Sequence, residues 1–323
     1  MKERRCNMYD IKEKAKDLFE YLPPLTRESD FDAFWRNTIA AAESVPLNPK
    51  MEKVGYPSPY VSVYSVEYNG FDETRIHGWY LVPEFVPKEK LPCLIHYHGF
   101  SGNRGMPADF MQWIMMGVAV LSVDCRDQSG ATGNCADYSG GYTQNVVCKG
   151  ILDKNEYYFR AVYMDCKKAI DFACSRPEIN PERIVMEGGS QGGALTMAVC
   201  ALDSRPALAL ADVPSNSNLE KRVEGAYGSF SSVTDYLKLY PQHTQKAFET
   251  LSYFDTMNLA SRIQCRVLAS VGLQDSTCPA KLFFATYNRI TSPKEIRIYP
   301  FNAHDGGRGV QNEVKLNYLA KYL

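Results

Sequence analysis

One serine of this chain stands among glycines at the junction of two regular elements. Residues 184–186 (IVM) form a short apolar run of strand length, residues 194–202 (ALTMAVCAL) are compatible with a helix, and residues 188–193 (GGSQGG) join them. A turn this sharp strains the backbone and requires glycine where a Cβ would clash. The spacing therefore predicts a strand, a tight turn and a helix, with Ser190 exposed on the turn as a nucleophile. A glycine-rich loop that cradles phosphate at a helix N-terminus is the alternative.

A serine hydroxyl is a poor nucleophile near neutral pH, so this motif requires a histidine base and a carboxylate that orients it. Asp275 follows the strand-like segment 265–272, and His304 follows the strand-like segment 295–300. Open α/β sheets place their chemistry at the carboxyl ends of strands, where both residues are expected. The order Ser190, Asp275, His304 is that of α/β-hydrolases and differs from the orders in chymotrypsin-like and subtilisin-like enzymes.

Two neighbouring positions offer alternatives. Asp212 ends another apolar run, 207–211, and competes with Asp275 as the acid. We favour Asp275 because the acid usually precedes the histidine by one strand and loop in this order. Cys278 follows Asp275 by three residues and either lines the site or packs in the core, the more common role of a free cysteine.

An early apolar strand ends at His98-Gly99-Phe100. Hydrolases of this fold place here a loop whose backbone N–H groups face the substrate oxygen. We expect the N–H groups of Phe100 and Gln191 to form an oxyanion hole. His96 and His98 form an H-x-H pair, but no third and fourth metal ligands follow at a recognisable spacing. The sequence thus predicts neither a metal nor a cofactor.

Composition favours a globular enzyme without a charged partner. A chain of 323 residues with 45% hydrophobic content can bury one large core, and we predict a single domain over residues 1–323. The formal net charge of −1 offers no electrostatic footprint for nucleic acid or acidic membranes. Residues 1–8 do not begin a signal peptide, and no segment is long and apolar enough to span a bilayer. The ten cysteines lack zinc spacing and fit free thiols in a reducing cytoplasm.

The hydrophobic pattern predicts an α/β fold with a mixed sheet. Residues 10–45 have a helical pattern with Asp30 as a candidate N-cap. Segments 61–68 and 76–82 flank Asn-Gly at 69–70, which predicts two antiparallel strands joined by a turn. Further strands alternate with helices and predict a mostly parallel central sheet flanked by helices. These strands are expected at 94–97, 118–123, 184–186, 207–211, 267–271 and 296–299.

Two connections are longer than plain crossovers. Residues 125–150 are rich in Gly, Ser, Thr and Asn, and residues 214–263 have a helical pattern. We predict that residues 1–50 form an N-terminal helical extension and that 214–263 form a helical insertion near the active site. Aromatic residues in this insertion either cap the site or belong to the core. They are Tyr227, Phe230, Tyr236 and Tyr240.

Nearly the whole chain resembles the acetyl xylan esterases and cephalosporin C deacetylases, which are carbohydrate esterase family seven of the α/β-hydrolases. The resemblance is strongest at 149–153 (KGILD), 157–160 (YYFR), 188–193 (GGSQGG), 251–255 (LSYFD) and 293–300 (PKEIRIYP). It implies a serine esterase without a cofactor that removes acetyl groups from small acetylated sugars or antibiotics. It also implies a ring-like hexamer whose active sites face an internal cavity. The implied site is Ser190 as nucleophile, Asp275 as acid, His304 as base, and the backbone of Phe100 and Gln191 as oxyanion hole.

Three positions depart from that family's pattern. The usual Arg-Gly-Gln is RDQ at 126–128, a usual Tyr is Phe100, and the usual His-Glu is His304-Asp305. Backbone donation at position 100 survives the change of side chain, whereas Asp127 in place of glycine is expected to alter its loop. A broader carboxylesterase, a peptidase and a catalytically silent binding protein are the alternative functions, because fold does not fix function.

Overall fold

A nine-stranded sheet organises the protein. The computed structural model describes residues 11–87, 90–140 and 145–323, so the signal-peptide prediction for residues 1–8 lies outside it. The strands are β1 (Lys50–Val54), β2 (Val61–Asn69), β3 (Arg75–Pro83), β4 (Leu91–Tyr97), β5 (Ala119–Val123), β6 (Ile179–Gly189), β7 (Pro206–Asp212), β8 (Arg266–Gly272) and β9 (Lys294–Tyr299). Their order is β1-β2-β3-β5-β4-β6-β7-β8-β9. The pairs β1/β2, β2/β3 and β3/β5 are antiparallel and the remaining neighbours are parallel, which confirms the predicted mixed sheet.

Helices cover both faces of this sheet. They are α1 (Ile11–Lys14), α2 (Lys16–Phe19), α3 (Phe31–Ser44), α4 (Met111–Met115), α5 (Tyr158–Cys174), α6 (Gln191–Leu202), α7 (Leu219–Glu224), α8 (Ser231–Leu239), α9 (Thr244–Phe254), α10 (Thr256–Leu259), α11 (Ala280–Tyr287) and α12 (Arg308–Tyr322). Short 3₁₀ turns lie at Pro107–Phe110, Val146–Cys148, Gly228–Phe230, Pro241–His243 and Ala260–Arg262. Within the described residues, every helix is too short or too polar to cross a membrane.

The side chains of β4 show how the sheet divides the core. Successive residues of a strand point to opposite faces. Cys93 and Ile95 belong to the larger apolar cluster, which includes residues of α3, α5, α6 and α9. Leu94 belongs to the smaller cluster, together with Trp113 of α4 and Tyr318 of α12. The centre of the sheet at β4 is therefore buried on both faces.

The N-terminal segment differs from the continuous helix predicted over 10–45. Helix α2 ends at Phe19 and α3 begins at Phe31. Pro23 and Pro24 lie between them, and proline interrupts a helix because it lacks the N–H donor and its ring clashes with the preceding turn. Asp30 precedes α3 as predicted, but its side chain does not cap the helix; it pairs with Lys154 and Tyr253 instead.

Two features of the first strands also differ from expectation. The predicted turn at 69–70 is wrong, because β2 continues through Asn69 and a longer loop leads to Arg75. This loop wraps around Asp165, whose carboxylate accepts the N–H of Phe71 at 2.8 Å. Strand β1 was not predicted, since its sequence KMEKV is mostly polar and it lies exposed at the sheet edge.

Residues 214–263 form the helices α7 to α10, in agreement with the helical pattern of the sequence. Two of the aromatic residues noted in the sequence belong to the apolar core. Phe230 and Tyr236 are buried, and the ring of Phe230 stacks on Phe159 of α5 with centroids 6.3 Å apart. Tyr227 is partly buried and Tyr240 is exposed. The buried rings anchor the insertion to the body of the fold.

A buried charge network joins the C-terminal helix to the sheet. Lys315 Nζ of α12 lies 2.7 Å from Glu187 Oε1 and 2.8 Å from Asp212 Oδ2, and His96 Nδ1 lies 2.5 Å from Glu187 Oε2. Burial opposes ionisation of Glu187, but the charge of Lys315 and the hydrogen bonds to His96 and Lys315 hold the pKa of Glu187 well below its usual range. Lys315 thus forms ion pairs with two carboxylates near the ends of adjacent strands.

We predict that Lys315→Met destabilises the fold by about 3–5 kcal/mol, because it leaves two buried carboxylates without a cation. Chemical denaturation measures the free energy of unfolding. Lys321→Met removes the same charge from the exposed end of α12 and is expected to cost no more than about 0.5 kcal/mol. Equal losses in the two variants would contradict a stabilising role of this network.

Candidate active site

The turn between β6 and α6 is tight enough to require glycine. Ser190 has φ 58° and ψ −118°, a strained conformation for a side-chain-bearing residue. A Cβ on Gly188 would lie 2.6 Å from the carbonyl oxygen of Tyr97, and one on Gly192 would lie 1.9 Å from it. The turn therefore packs directly against the end of β4. The predicted strand, turn and helix are all present, with Ser190 at the apex.

Three loops at the carboxyl ends of strands bring Ser190, His304 and Asp275 together. His304 Nε2 lies 2.9 Å from Ser190 Oγ, and His304 Nδ1 lies 2.7 Å from Asp275 Oδ2. The other carboxylate oxygen of Asp275 accepts the N–H groups of Thr277 and Cys278 at 2.8 Å and 2.7 Å. This buried carboxylate is thus fixed in the orientation that holds the imidazole.

The surroundings of His304 favour its protonated form. The hydrogen bond to Asp275 contributes most, and the Cys278 thiol adds to it, so that the pKa of His304 is raised above its ordinary value despite partial burial. Cys278 is buried, and it also lines the cavity next to Ser190. Cys278 therefore has both of the roles that the sequence offers as alternatives, packing and lining the site.

Asp212 has a different set of partners. Its Oδ1 accepts Ser270 Oγ–H at 2.7 Å and Gln311 Nε2–H at 2.9 Å, while Oδ2 pairs with Lys315. These contacts are those of a hydrogen-bonded carboxylate at a strand end. His304 is hydrogen-bonded to Asp275 and not to Asp212, the alternative acid.

The backbone around Phe100 and Gln191 faces the same turn. Gln191 is the first residue of α6, and the first N–H groups of a helix have no partner within it. Phe100 lines the cavity beside Ser190, and a Cβ on the preceding Gly99 would lie 3.9 Å from the Cβ of Ser190. Both residues predicted to form an oxyanion hole are therefore near the Ser190 hydroxyl.

Gln128 links these two segments, a role that the sequence analysis missed. Its Oε1 accepts the N–H of Ser101 at 2.8 Å, and its Nε2 donates to Gln191 Oε1 and to Tyr158 Oη, both at 3.0 Å. Gln128 thus ties the Phe100 loop to the first turn of α6. The sequence marks it only as part of the RDQ motif, because its partners are distant along the chain.

The residues before Gln128 hold its loop in place. The buried guanidinium of Arg126 donates from Nε to Asp165 at 2.6 Å and from Nη1 to Asp72 at 2.9 Å. Asp127 adopts the left-handed conformation, with φ 58°, that a glycine takes without strain, and it pairs with Lys149. The loop therefore accommodates Asp127 at a glycine position and gains an ion pair there.

The other positions noted in the sequence have protein partners. Asp305, which follows His304, accepts Asn302 Nδ2–H at 2.9 Å and Arg308 Nε–H at 2.7 Å. His98 Nε2 accepts the N–H of Cys125 at 2.9 Å, and His98 Nδ1 donates to the carbonyl of Gly99 at 2.7 Å. Within the described ranges, no group of three or more His, Cys, Asp and Glu residues has an arrangement that would hold a metal ion.

A cavity of about 620 Å³ opens above Ser190 and His304. Phe100 lies on one wall, and Arg222, Gly228 and Ser229 of the insertion contribute another. The predicted insertion thus contributes directly to the candidate site. The arrangement unites a hydroxyl, an imidazole, a carboxylate and nearby backbone donors around a space for substrate, as acyl transfer requires.

Comparison with known proteins identifies the family. The family model for acetyl xylan esterase (AXE1) matches residues 8–322. The chain belongs to the acetyl xylan esterase family. This membership confirms the family and the α/β-hydrolase fold that the motifs indicate, and it places the chain among carboxylic ester hydrolases.

Solved structures of the acetyl xylan esterase family are similar over nearly the whole chain. An acetyl xylan esterase from Paenibacillus sp. R4 is 43% identical with a TM-score of 0.93, covering 95% of this chain and 99% of that one. Acetyl xylan esterase 1 from Thermoanaerobacterium sp. JW/SL YS485 is 29% identical with a TM-score of 0.90, covering 95% and 98%. Acetyl esterase Axe7A of Xylanibacter ruminicola is 29% identical over 88% of this chain, which spans 65% of that relative's length.

We predict that Asp275→Asn moves the acid limb of the kcat/KM profile to lower pH. The carboxylate raises the pKa of His304, so its removal lowers that pKa, and the neutral imidazole persists to lower pH. The maximal kcat is expected to fall about 10⁴-fold because the imidazole loses its orientation. Asp212→Asn is the matched control, and its acid limb is expected to stay in place. An unmoved limb in Asp275→Asn would contradict this coupling.

Proposed function

We propose that this chain is a serine esterase that removes O-acetyl groups from small acetylated carbohydrates such as xylo-oligosaccharides. In this proposal Ser190 is the nucleophile, His304 the base, Asp275 the orienting acid, and the N–H groups of Phe100 and Gln191 form the oxyanion hole. The observation that carries it is the continuous hydrogen-bonded chain from Ser190 Oγ through His304 to Asp275 inside the cavity.

The first half of the proposed reaction forms an acetyl-enzyme. His304 Nε2 takes the proton of Ser190 as Oγ attacks the acetyl carbonyl carbon. The backbone donors of Phe100 and Gln191 stabilise the negative charge that develops on the carbonyl oxygen. His304 then donates its proton to the departing sugar oxygen, the ester bond breaks, and acetyl remains on Ser190.

The second half releases acetate by the same groups. His304 removes a proton from water, which attacks the acetyl carbonyl, and the oxyanion again faces the two backbone donors. Ser190 leaves with the proton from His304 and is restored. Asp275 stays ionised throughout and stabilises the imidazolium that forms in each half. The reaction as proposed needs no cofactor.

Support for the acetyl group and the sugar comes from the relatives named acetyl xylan esterase and acetyl esterase. The acetyl ester of cephalosporin C is a second candidate substrate, which rests on the family resemblance alone. A broader carboxylesterase would share the same triad. Similarity to a prolyl endopeptidase is limited to the fold, at 17% identity, and carries no argument for peptidase activity.

The assembly and location are also proposals. The family resemblance supports a hexamer, and light scattering at micromolar concentration should then give the hexamer mass; a monomer mass would overturn it. The cysteines that the structure describes are free thiols. This supports a reducing cytoplasm as the location.

We predict that kcat/KM for p-nitrophenyl esters falls steeply from acetate to octanoate, and that Ser190→Ala lowers the acetate value by about 10⁴-fold or more. The series tests acyl size and mechanism together. Ser44→Ala removes an exposed hydroxyl at the C-terminal end of α3 and serves as the control for loss of a serine. Equal turnover of octanoate would favour the broader carboxylesterase, and full activity of Ser190→Ala would overturn the mechanism.

A further inference from the structure

Arg222 of α7 is a buried cation with unused hydrogen-bond donors. Its side chain is 1% exposed. Nη1 donates to the carbonyl oxygen of Thr277 at 3.0 Å, whereas Nε and Nη2 have no hydrogen-bond partner within the described residues. Arg126, which is equally buried, uses Nε and both Nη atoms on Asp72 and Asp165. Buried charged groups are normally paired, so the free donors of Arg222 require an explanation.

A buried carboxylate that interacts electrostatically with Arg222 makes its hydrogen bonds elsewhere. Asp255 lies within electrostatic reach of Arg222, but its oxygens accept the backbone N–H groups of Asn218, Leu219 and Met257 at 3.0, 2.6 and 2.9 Å. Burial raises the pKa of Asp255 to about 6, although the hydrogen bonds from these backbone N–H groups and the charge of Arg222 oppose that rise. Asp255 therefore compensates part of the positive charge of Arg222, but it leaves Nε and Nη2 without a hydrogen-bond acceptor.

Arg222 is also part of the cavity wall that faces the triad. It is the one Lys or Arg among the described residues that line this cavity with Ser190 and His304. Two carboxylates also line this cavity, and each pairs with a different cation: Asp212 with Lys315, and Asp305 with Arg308. An anion that enters the cavity thus meets one guanidinium with two unused hydrogen-bond donors.

Among the described residues, the guanidinium of Arg222 is hydrogen-bonded through Nη1 alone. Gly228 packs against it with φ 57°, and a Cβ there would lie 3.1 Å from the Thr277 carbonyl oxygen and 3.7 Å from Arg222 Nη1. Thr277 follows Asp275 by two residues, so the anchored end of the guanidinium is fixed relative to the triad. Its Nε and Nη2 donors lack an acceptor among the described residues.

We propose that Arg222 turns its unpartnered donors toward the cavity and binds a carboxylate on the sugar of the substrate. The inference rests on the proposed deacetylation, and it narrows the substrate class to acetylated sugars that carry a uronic acid. The acetyl group itself has no anionic substituent, so the carboxylate belongs to the alcohol part of the ester. Guanidinium binds carboxylate through paired, charge-assisted hydrogen bonds, which makes this residue a determinant of specificity.

The test compares two substrates that carry acetyl at the same hydroxyl, a methyl glucuronoside and the corresponding methyl glucoside. They differ in a carboxylate against a hydroxymethyl group. We expect the wild type to prefer the glucuronoside in kcat/KM by at least about 10-fold. Arg222→Met should bring the ratio of the two values close to one, and Arg222→Lys should keep part of the preference. Lys221→Met removes an exposed cation from the same helix and should leave the ratio as in the wild type.

Other outcomes separate this inference from the proposed function. Hydrolysis of both acetyl esters without a preference for the glucuronoside, or a preference that persists in Arg222→Met, would overturn the role of Arg222 alone. If neither ester is hydrolysed, the proposed function is overturned. In that case calorimetric binding of methyl glucuronoside still decides the inference: binding by the wild type that is lost in Arg222→Met supports it, and no binding by the wild type overturns it.

Discussion

The close backbone contact between the nucleophile turn and the end of β4 is the constraint on which the site depends. Gly188 and Gly192 allow the turn to reach the carbonyl of Tyr97 at distances that no Cβ would tolerate. This approach sets Ser190 beside the loop that carries Phe100, and it starts α6 where Gln191 presents its N–H. One contact thus brings together the proposed nucleophile and both proposed oxyanion donors, while Ser190 stands at the apex of the turn with a strained φ.

Polar groups around this contact supply the rest of the geometry. Gln128 joins the Phe100 loop to α6, and Arg126 holds the Gln128 loop through two carboxylates. On the far side of the triad, the backbone of Thr277 and Cys278 fixes Asp275. Catalysis by positioned groups requires such support, because misplacement by about 1 Å already costs rate. The insertion then adds a wall whose chemistry differs from that of the triad, with Arg222 as its cation.

Sequence reasoning predicts the parts of this protein that local rules determine. The glycine spacing around Ser190, and the strand ends before Asp275 and His304, predict both the sheet and the residues that the structure brings together. Local sequence patterns do not predict contacts between residues that are far apart along the chain. Gln128 and Arg222 act through partners far along the chain, and strand β1 has no hydrophobic pattern because it lies at an exposed edge. The helix predicted over 10–45 overlooks Pro23 and Pro24, although proline is a local signal.

The central claim is that acetyl passes through a covalent intermediate on Ser190. The most direct measurement is acid quenching of the enzyme during turnover of p-nitrophenyl acetate, followed by mass spectrometry of its peptides. The account predicts one acetyl group on the peptide that contains Ser190, with none on the same peptide of Ser190→Ala. Acetyl on another residue, or turnover without any acetylated peptide, would contradict it.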